Sequence, residues 1–352
     1  MRYPIAYAIS IAIALCLVIG HYVGGIGHFA MPLLGFAFMP IADRWAGLSH
    51  WPSESALKKM NPAKERAFEA ALIGAAFVTL VTLAWGLWVA AHETLMWWQF
   101  AGLAVSIGML TGYVGIVVAH ELMHRASLMH RALAWVLMSV TIYPHFCIEH
   151  IHGHHPRFAT PDDHATARRG ESFYLFLPRT IFGGLASALR IKPAPVLVAY
   201  TVILVLGMAI YRWLGTSALT LLLIQAAVAI LLLEGINYLE HYGLLRARRA
   251  SGHYEPAGPG HSWDTSYYLT NINIFNLGRH TDHHSHARRP YYRLRHIEEA
   301  PQLPYGYATM FLIALMPPLW FYIMNRRLDT WQANALRRHS GQNEVMHFSK
   351  KA

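Results

Sequence analysis

Three short stretches of this sequence place histidines at spacings that suit a metal. The first reads HELMHR and sets His120 and His124 four residues apart. The second, EHIHGHH, carries His150, His154 and His155, and the third, RHTDHH, carries His280, His283 and His284. On an α-helix residues i and i+4 lie one above the other, so each stretch can aim two imidazoles at one point. A lone histidine is more often a core or surface residue, whereas three such clusters read as a metal site. Imidazole suits zinc, copper, iron and nickel, so spacing alone does not choose the metal. Ligand number narrows the choice. One tetrahedral zinc takes about four ligands, and the three stretches over-supply it. Two metals would use them and keep open positions for a small molecule, as a pair of irons binding O2 beside an apolar cavity would need.

The elements that carry these stretches are those of a membrane protein. Of 352 residues 55% are hydrophobic and only 14% charged, and the mean hydropathy is +0.28, which is unusual for a soluble chain of this length. Apolar runs at 5–20, 28–42, 70–91, 95–119, 195–211 and 218–233 predict an all-α integral membrane protein with about six transmembrane helices in one domain, 1–352. No small-x-small cleavage site follows the first run, so it reads as a span and not as a signal peptide. Arg44, Lys58, Lys59, Lys64 and Arg66 mark the 43–66 loop as cytoplasmic, which puts both termini and all three histidine stretches on that face. The run at 132–143 is too short to span. That at 308–320 is broken by Pro317 and Pro318, and is expected to be cytoplasmic or re-entrant. Cys16 and Cys147 are the only cysteines, so no disulfide framework or four-cysteine cluster can form, and the metal must be held mainly by nitrogen.

In these stretches the chain resembles the integral-membrane alkane monooxygenases, within the wider superfamily of histidine-rich membrane hydroxylases and fatty-acid desaturases. The likeness runs from residue 118 to about 331. It is sharpened by NYLEHYGLLR at 237–246, which looks like the family's HYG motif, by FATPDDHATARRGES at 158–172 and by HSWDTSYY at 261–268. The resemblance implies a cytoplasmic diiron site with nine ligands: His120, His124, His150, His154, His155, His241, His280, His283 and His284. Glu149, Glu240 and Asp282 flank ligand positions and are expected to accept imidazole N–H groups, with Asp162 and Asp163 weaker candidates. His152 is expected to point away, and His130, His145, His164, His253, His261 and His286 fall outside the ligand set. Two positions depart from the family pattern. Met123 stands where the family usually has glycine, as in the xylene monooxygenases, and Gly278 precedes Arg279 where the family has glutamine. Both are expected near the substrate end.

The activity so implied is O2-dependent hydroxylation of an unactivated C–H, a terminal methyl of a hydrocarbon such as an n-alkane, in the inner membrane of a bacterium. Cavity-lining residues are expected around 110–117 and 231–236. The alternatives are an alkyl-aromatic (xylene) methyl hydroxylase and a fatty-acyl desaturase. A membrane metal transporter is the non-enzyme alternative, but it needs polar groups near the bilayer midplane, where these apolar runs have few. No flavin, nicotinamide or four-cysteine motif is present, so electrons must come from outside. The family's donor is a rubredoxin, reduced by an NAD(P)H-dependent reductase. A net charge of +10 fits an acidic carrier, and anionic lipid equally; nucleic acid is not an expected partner.

Overall fold

The computed structural model describes residues 2–349, with side chains over residues 4–334. Met1 and Ala352, expected on the cytoplasmic side, lie outside the described residues. Among those residues the chain is helical, with isolated β-bridges and no strand. Five helices are long and apolar enough to cross a bilayer: Pro4–Val23, Gly25–Ala46, Pro62–His92, Trp97–Met123 and Pro193–His241. The protein is a multi-pass membrane protein.

The last of these helices would reach about 73 Å if straight, more than twice a hydrocarbon core of about 30 Å. It breaks at Gly215, where φ is 81° and ψ is −178°, a backbone shape that only glycine adopts freely. A Cβ on Gly207 would lie 4.0 Å from Leu219, so the arms on either side fold back on each other. The segments expected at 195–211 and 218–233 are therefore two arms of one element. The third helix begins earlier than the apolar run does. Pro62 occupies its first turn and the Asn61 side chain accepts from Lys64 N at 3.0 Å, so Lys64 and Arg66 belong to the helix and not to a loop. Helix Leu128–Val140 is too short to span, as is Tyr307–Ala314, and Pro317 opens the next helix, Pro317–Ser349.

Three packing features position the histidines. Gly108 and Gly112 let Trp97–Met123 cross the second arm of Pro193–His241 backbone to backbone, since a Cβ there would come within 2.8 Å of Gln225 O and of Ala229 Cα. Thr111 Oγ1 donates to Gln225 Oε1 at 2.7 Å in the same crossing. These contacts lock together the helices that end in His120 and His241. The third histidine stretch is held from behind by Arg279, which is 1% exposed and donates to Ser266 Oγ at 2.8 Å and to Ser49 O. Beyond it Tyr291 packs on Tyr7 with ring centroids 4.9 Å apart and donates to Phe68 O at 2.9 Å. The segment that follows the third stretch is thereby tied to the first and third helices.

Candidate metal centre

Four elements deliver the nine expected histidines to one place. His120 lies in the last turn of Trp97–Met123 and His124 just past it, while His241 is the last residue of Pro193–His241. His280, His283 and His284 come from the short helix His280–Ser285. The second stretch is not α-helical. Glu149–His154 is a π-helix, and its wider turn brings His150 and His155, five residues apart, to a nitrogen separation of 3.0 Å. This corrects the expectation that each stretch aims its i,i+4 pair at one point. His120 with His124, and His280 with His284, do so, but His150 and His154 part company.

The ring nitrogens sort into two groups. His120, His124, His150 and His283 form one and His154, His241, His280 and His284 the other, each with its ligand atoms within 4.8 Å of one another. His155 Nε2 abuts the first group, 3.0 Å from His150 Nε2 and 3.2 Å from His283 Nε2, and its ring centroid is 4.6 Å from that of His284. In the second group His280 Nε2 is 3.0 Å from His241 Nε2 and 2.9 Å from His284 Nε2. Nitrogens bound to one ion at about 2.1 Å stand roughly 3–4 Å apart, so these spacings fit a metal in each group. Unpaired atoms point the same way. His120 Nε2 and His124 Nε2 are buried with no partner among the described residues, and bare buried groups cost roughly 1–3 kcal/mol each. Burial and the neighbouring imidazoles hold His150, His155, His280, His283 and His284 well below the usual imidazole range, and His124 falls to about 3. The rings are neutral at pH 7, the form that binds a metal. His152, in contrast, is exposed and lies 3.0 Å from Lys192 Nζ.

The carboxylates differ from expectation. Glu149 receives Arg157 Nη2 at 3.0 Å on Oε1 and no imidazole, because Arg157 reaches back across the bare Gly153. Asp282 is taken by Arg289 and by Arg295, whose backbone N and Nη2 both lie at 2.9 Å. It orients no ligand, and despite burial these bonds keep its carboxyl below the usual range. Glu240 does touch a ring, with Oε2 3.2 Å from His280, but at Nε2 and not at the Nδ1 that an orienting acceptor would hold. Its other oxygen accepts from Tyr307 OH at 2.5 Å. The residue that fills the expected role is Asp163, whose Oδ2 lies 3.0 Å from His154 Nδ1 and 2.6 Å from Thr166 Oγ1. Burial raises the Asp163 carboxyl, but the His154 ring and these hydrogen bonds bring it down to about 2. The proline two residues before it and the threonine three residues after it, in PDDHAT, were the available signal for this fixed turn.

A cavity of about 240 Å3 opens on the centre, lined by His120, His150, His280 and Glu240 at one end and by Cys16, Met31 and Met109 further along. Met109 and His120 are eleven residues apart on one helix, so the cavity follows the bilayer for about 16 Å. Gly112, Tyr113, Ile116, Val117, Leu232, Leu233 and Ile236 fall within the ranges expected to line it. Met123 and Gly278 do not line it, which corrects their expected place at the substrate end. Met123 is buried in the core, and Gly278 sits where a Cβ would come within 2.6 Å of Thr265.

The sequence signature of the fatty acid desaturase family matches residues 95–314, from the start of the fourth membrane helix past the last histidine stretch. Over 316 residues the chain is 35% identical to alkane 1-monooxygenase 2 of Pseudomonas aeruginosa, covering 85% of this chain and 83% of that protein. The chain belongs to the alkane monooxygenases of the fatty acid desaturase family. It is also 42% identical over 240 residues to the alkane 1-monooxygenase of Acinetobacter baylyi, a match spanning 64% of this chain and 59% of that protein. A more distant likeness, 30% over 66% of each chain, is to the xylene/toluene monooxygenase hydroxylase component of Pseudomonas putida. The chain is an oxidoreductase hydroxylase, and its apolar helices give it a membrane-embedded body.

Proposed function

We propose that the protein hydroxylates the terminal C–H of a hydrophobic hydrocarbon such as an n-alkane, with O2 and two electrons from a rubredoxin-type iron–sulfur carrier. The observation that carries this reading is the meeting of two imidazole groups with the head of a long apolar cavity. His120, His124, His150, His155 and His283 would hold one iron and His154, His241, His280 and His284 the other. Bound there, the irons supply the O2 activation that no side chain of this chain can provide. The remaining work belongs to the protein. The cavity aligns an alkyl chain end-on and excludes water from the C–H to be cut. Asp163 fixes His154 in the tautomer that presents Nε2. Glu240 and Tyr307 stand where the cavity meets the second group, and are placed to orient the oxygen side of the reaction. Product analysis with octane and with xylene, using a reconstituted rubredoxin and reductase, tests the reading. 1-Octanol supports it, benzylic alcohol alone favours the alkyl-aromatic alternative, and an alkene identifies a desaturase.

For the electrons to arrive from an inner-membrane pathway, the centre must face the cytoplasm. Arg168, Arg248, Arg249 and Arg288 are exposed around it and suit an acidic carrier. A six-pass arrangement, with Gly215 and Glu93 at opposite-side turns from the centre, meets this need. A reporter placed between the second and third membrane helices, at 47–61, should therefore read cytoplasmic, and one at Glu93 periplasmic. The reverse result would strand the centre away from its donor.

A further inference from the structure

Against His150 and His154 lies a second, much smaller cavity of about 20 Å3. A water needs roughly 10–15 Å3, so it has room for one. Although most of its wall area is apolar, several of the residues that line it carry polar groups, among them Glu149, His145, Thr180 and Glu234. Glu149 and His145 line it, and Glu149 Oε2 and His145 Nε2 are buried with no hydrogen-bond partner among the described residues. Both residues lie against Gly184, where a Cβ would stand 3.7 Å from Glu149 Cγ and 3.9 Å from His145 Nε2. One water accepting or donating at both would satisfy them. The same wall holds Glu234, a buried carboxyl that receives Tyr143 OH at 2.8 Å, Thr180 Oγ1 at 2.9 Å and Asn237 Nδ2 at 3.1 Å. Half-buried His164 forms the outer rim. Asn237 and His150 line both this cavity and the substrate cavity, so the two meet at the metal centre.

We propose that this pocket holds one ordered water and that, with Glu234 and Asn237, it is the route by which protons reach the centre. The proposal rests on the hydroxylase reading. In that reaction a C–H and the O–O bond break, a C–O bond forms, and the second oxygen leaves as water. Two electrons come from the iron–sulfur carrier and two protons from solvent. The substrate cavity cannot pass those protons, because its walls are apolar and a hydrocarbon fills it. His164 collects a proton at the rim, and the water carries it inward between His145 and Glu149. Glu234 then takes it up and releases it along the Asn237 side.

The test uses the full chain in lipid nanodiscs with reconstituted rubredoxin, its reductase and octane. Iron content, octanol, peroxide and the solvent deuterium isotope effect are measured together. Glu234→Gln keeps the shape and hydrogen bonds but cannot pass a proton. Gly184→Ala puts a methyl where the water sits, at ordinary contact distances. Both are expected to keep wild-type iron, to make octanol about tenfold or more slowly, to raise the solvent isotope effect and to divert O2 to peroxide. Wild-type octanol and isotope effect in both variants would overturn the proposal, and so would iron loss in both, which would make the pocket a prop for the metal centre. A density map of the wild-type protein with no water between Glu149 Oε2 and His145 Nε2 would overturn it without reference to activity. If the wild-type protein makes no alcohol at all, the hydroxylase reading itself fails and takes the proposal with it.

Discussion

Replacing His241 by alanine should leave the protein folded and inserted but with much of one iron gone and hydroxylation down about a hundredfold or more. His241 is fully buried and shares a group with His154, His280 and His284, its Nε2 3.0 Å from that of His280. Removing it leaves three nitrogens where four converged, with no other histidine among the described residues grouped with them. His155, which could be suspected of compensating, packs on the first group through His150 and His283. His152→Ala is the matching control, because that ring is exposed beside Lys192 and should leave both irons and the activity intact. Iron per chain and alcohol formed check both variants. Two irons and full activity in His241→Ala would reduce the HYG motif to a packing element.

Filling the far end of the cavity should change which substrates are accepted without touching the metal. Met109 lines the cavity about 16 Å along the helix from His120. Met109→Trp places a rigid ring across that end while the histidines keep their positions. Long alkanes should lose turnover by about tenfold or more, because their reacting methyl no longer reaches the centre in line. Short alkanes should be oxidised at close to the original rate, and iron content should not change. Equal loss for all chain lengths would mean that hydrocarbon does not lie along this cavity.

Much of this was legible in the sequence because membrane helices and histidine clusters both leave local marks. The apolar runs announced the helices, and the HELMHR, EHIHGHH and RHTDHH stretches announced the site. What was not legible depends on geometry that no local pattern encodes. The π turn at Glu149–His154 regroups the second stretch, so the histidine left over from two groups of four is His155. The fate of each carboxylate was decided by competition. Glu149 and Asp282 sit beside histidines in sequence but were captured by Arg157, Arg289 and Arg295. Asp163, nine residues beyond His154, reaches its ring only because the 158–166 turn folds back. The hinge at Gly215 was signalled by one glycine between two apolar runs, which looked like an ordinary short loop. Only the folded chain shows that Met123 is buried in the core and that Gly278 packs against Thr265, away from the cavity.

The proposed hydroxylation requires two irons bound by imidazole. The most direct measurement is the metal content of purified protein that is turning over a hydrocarbon with a reconstituted donor. Two groups of converging imidazoles predict about two irons per chain and little zinc, with activity rising in proportion to iron. Active protein carrying stoichiometric zinc and no iron would contradict it.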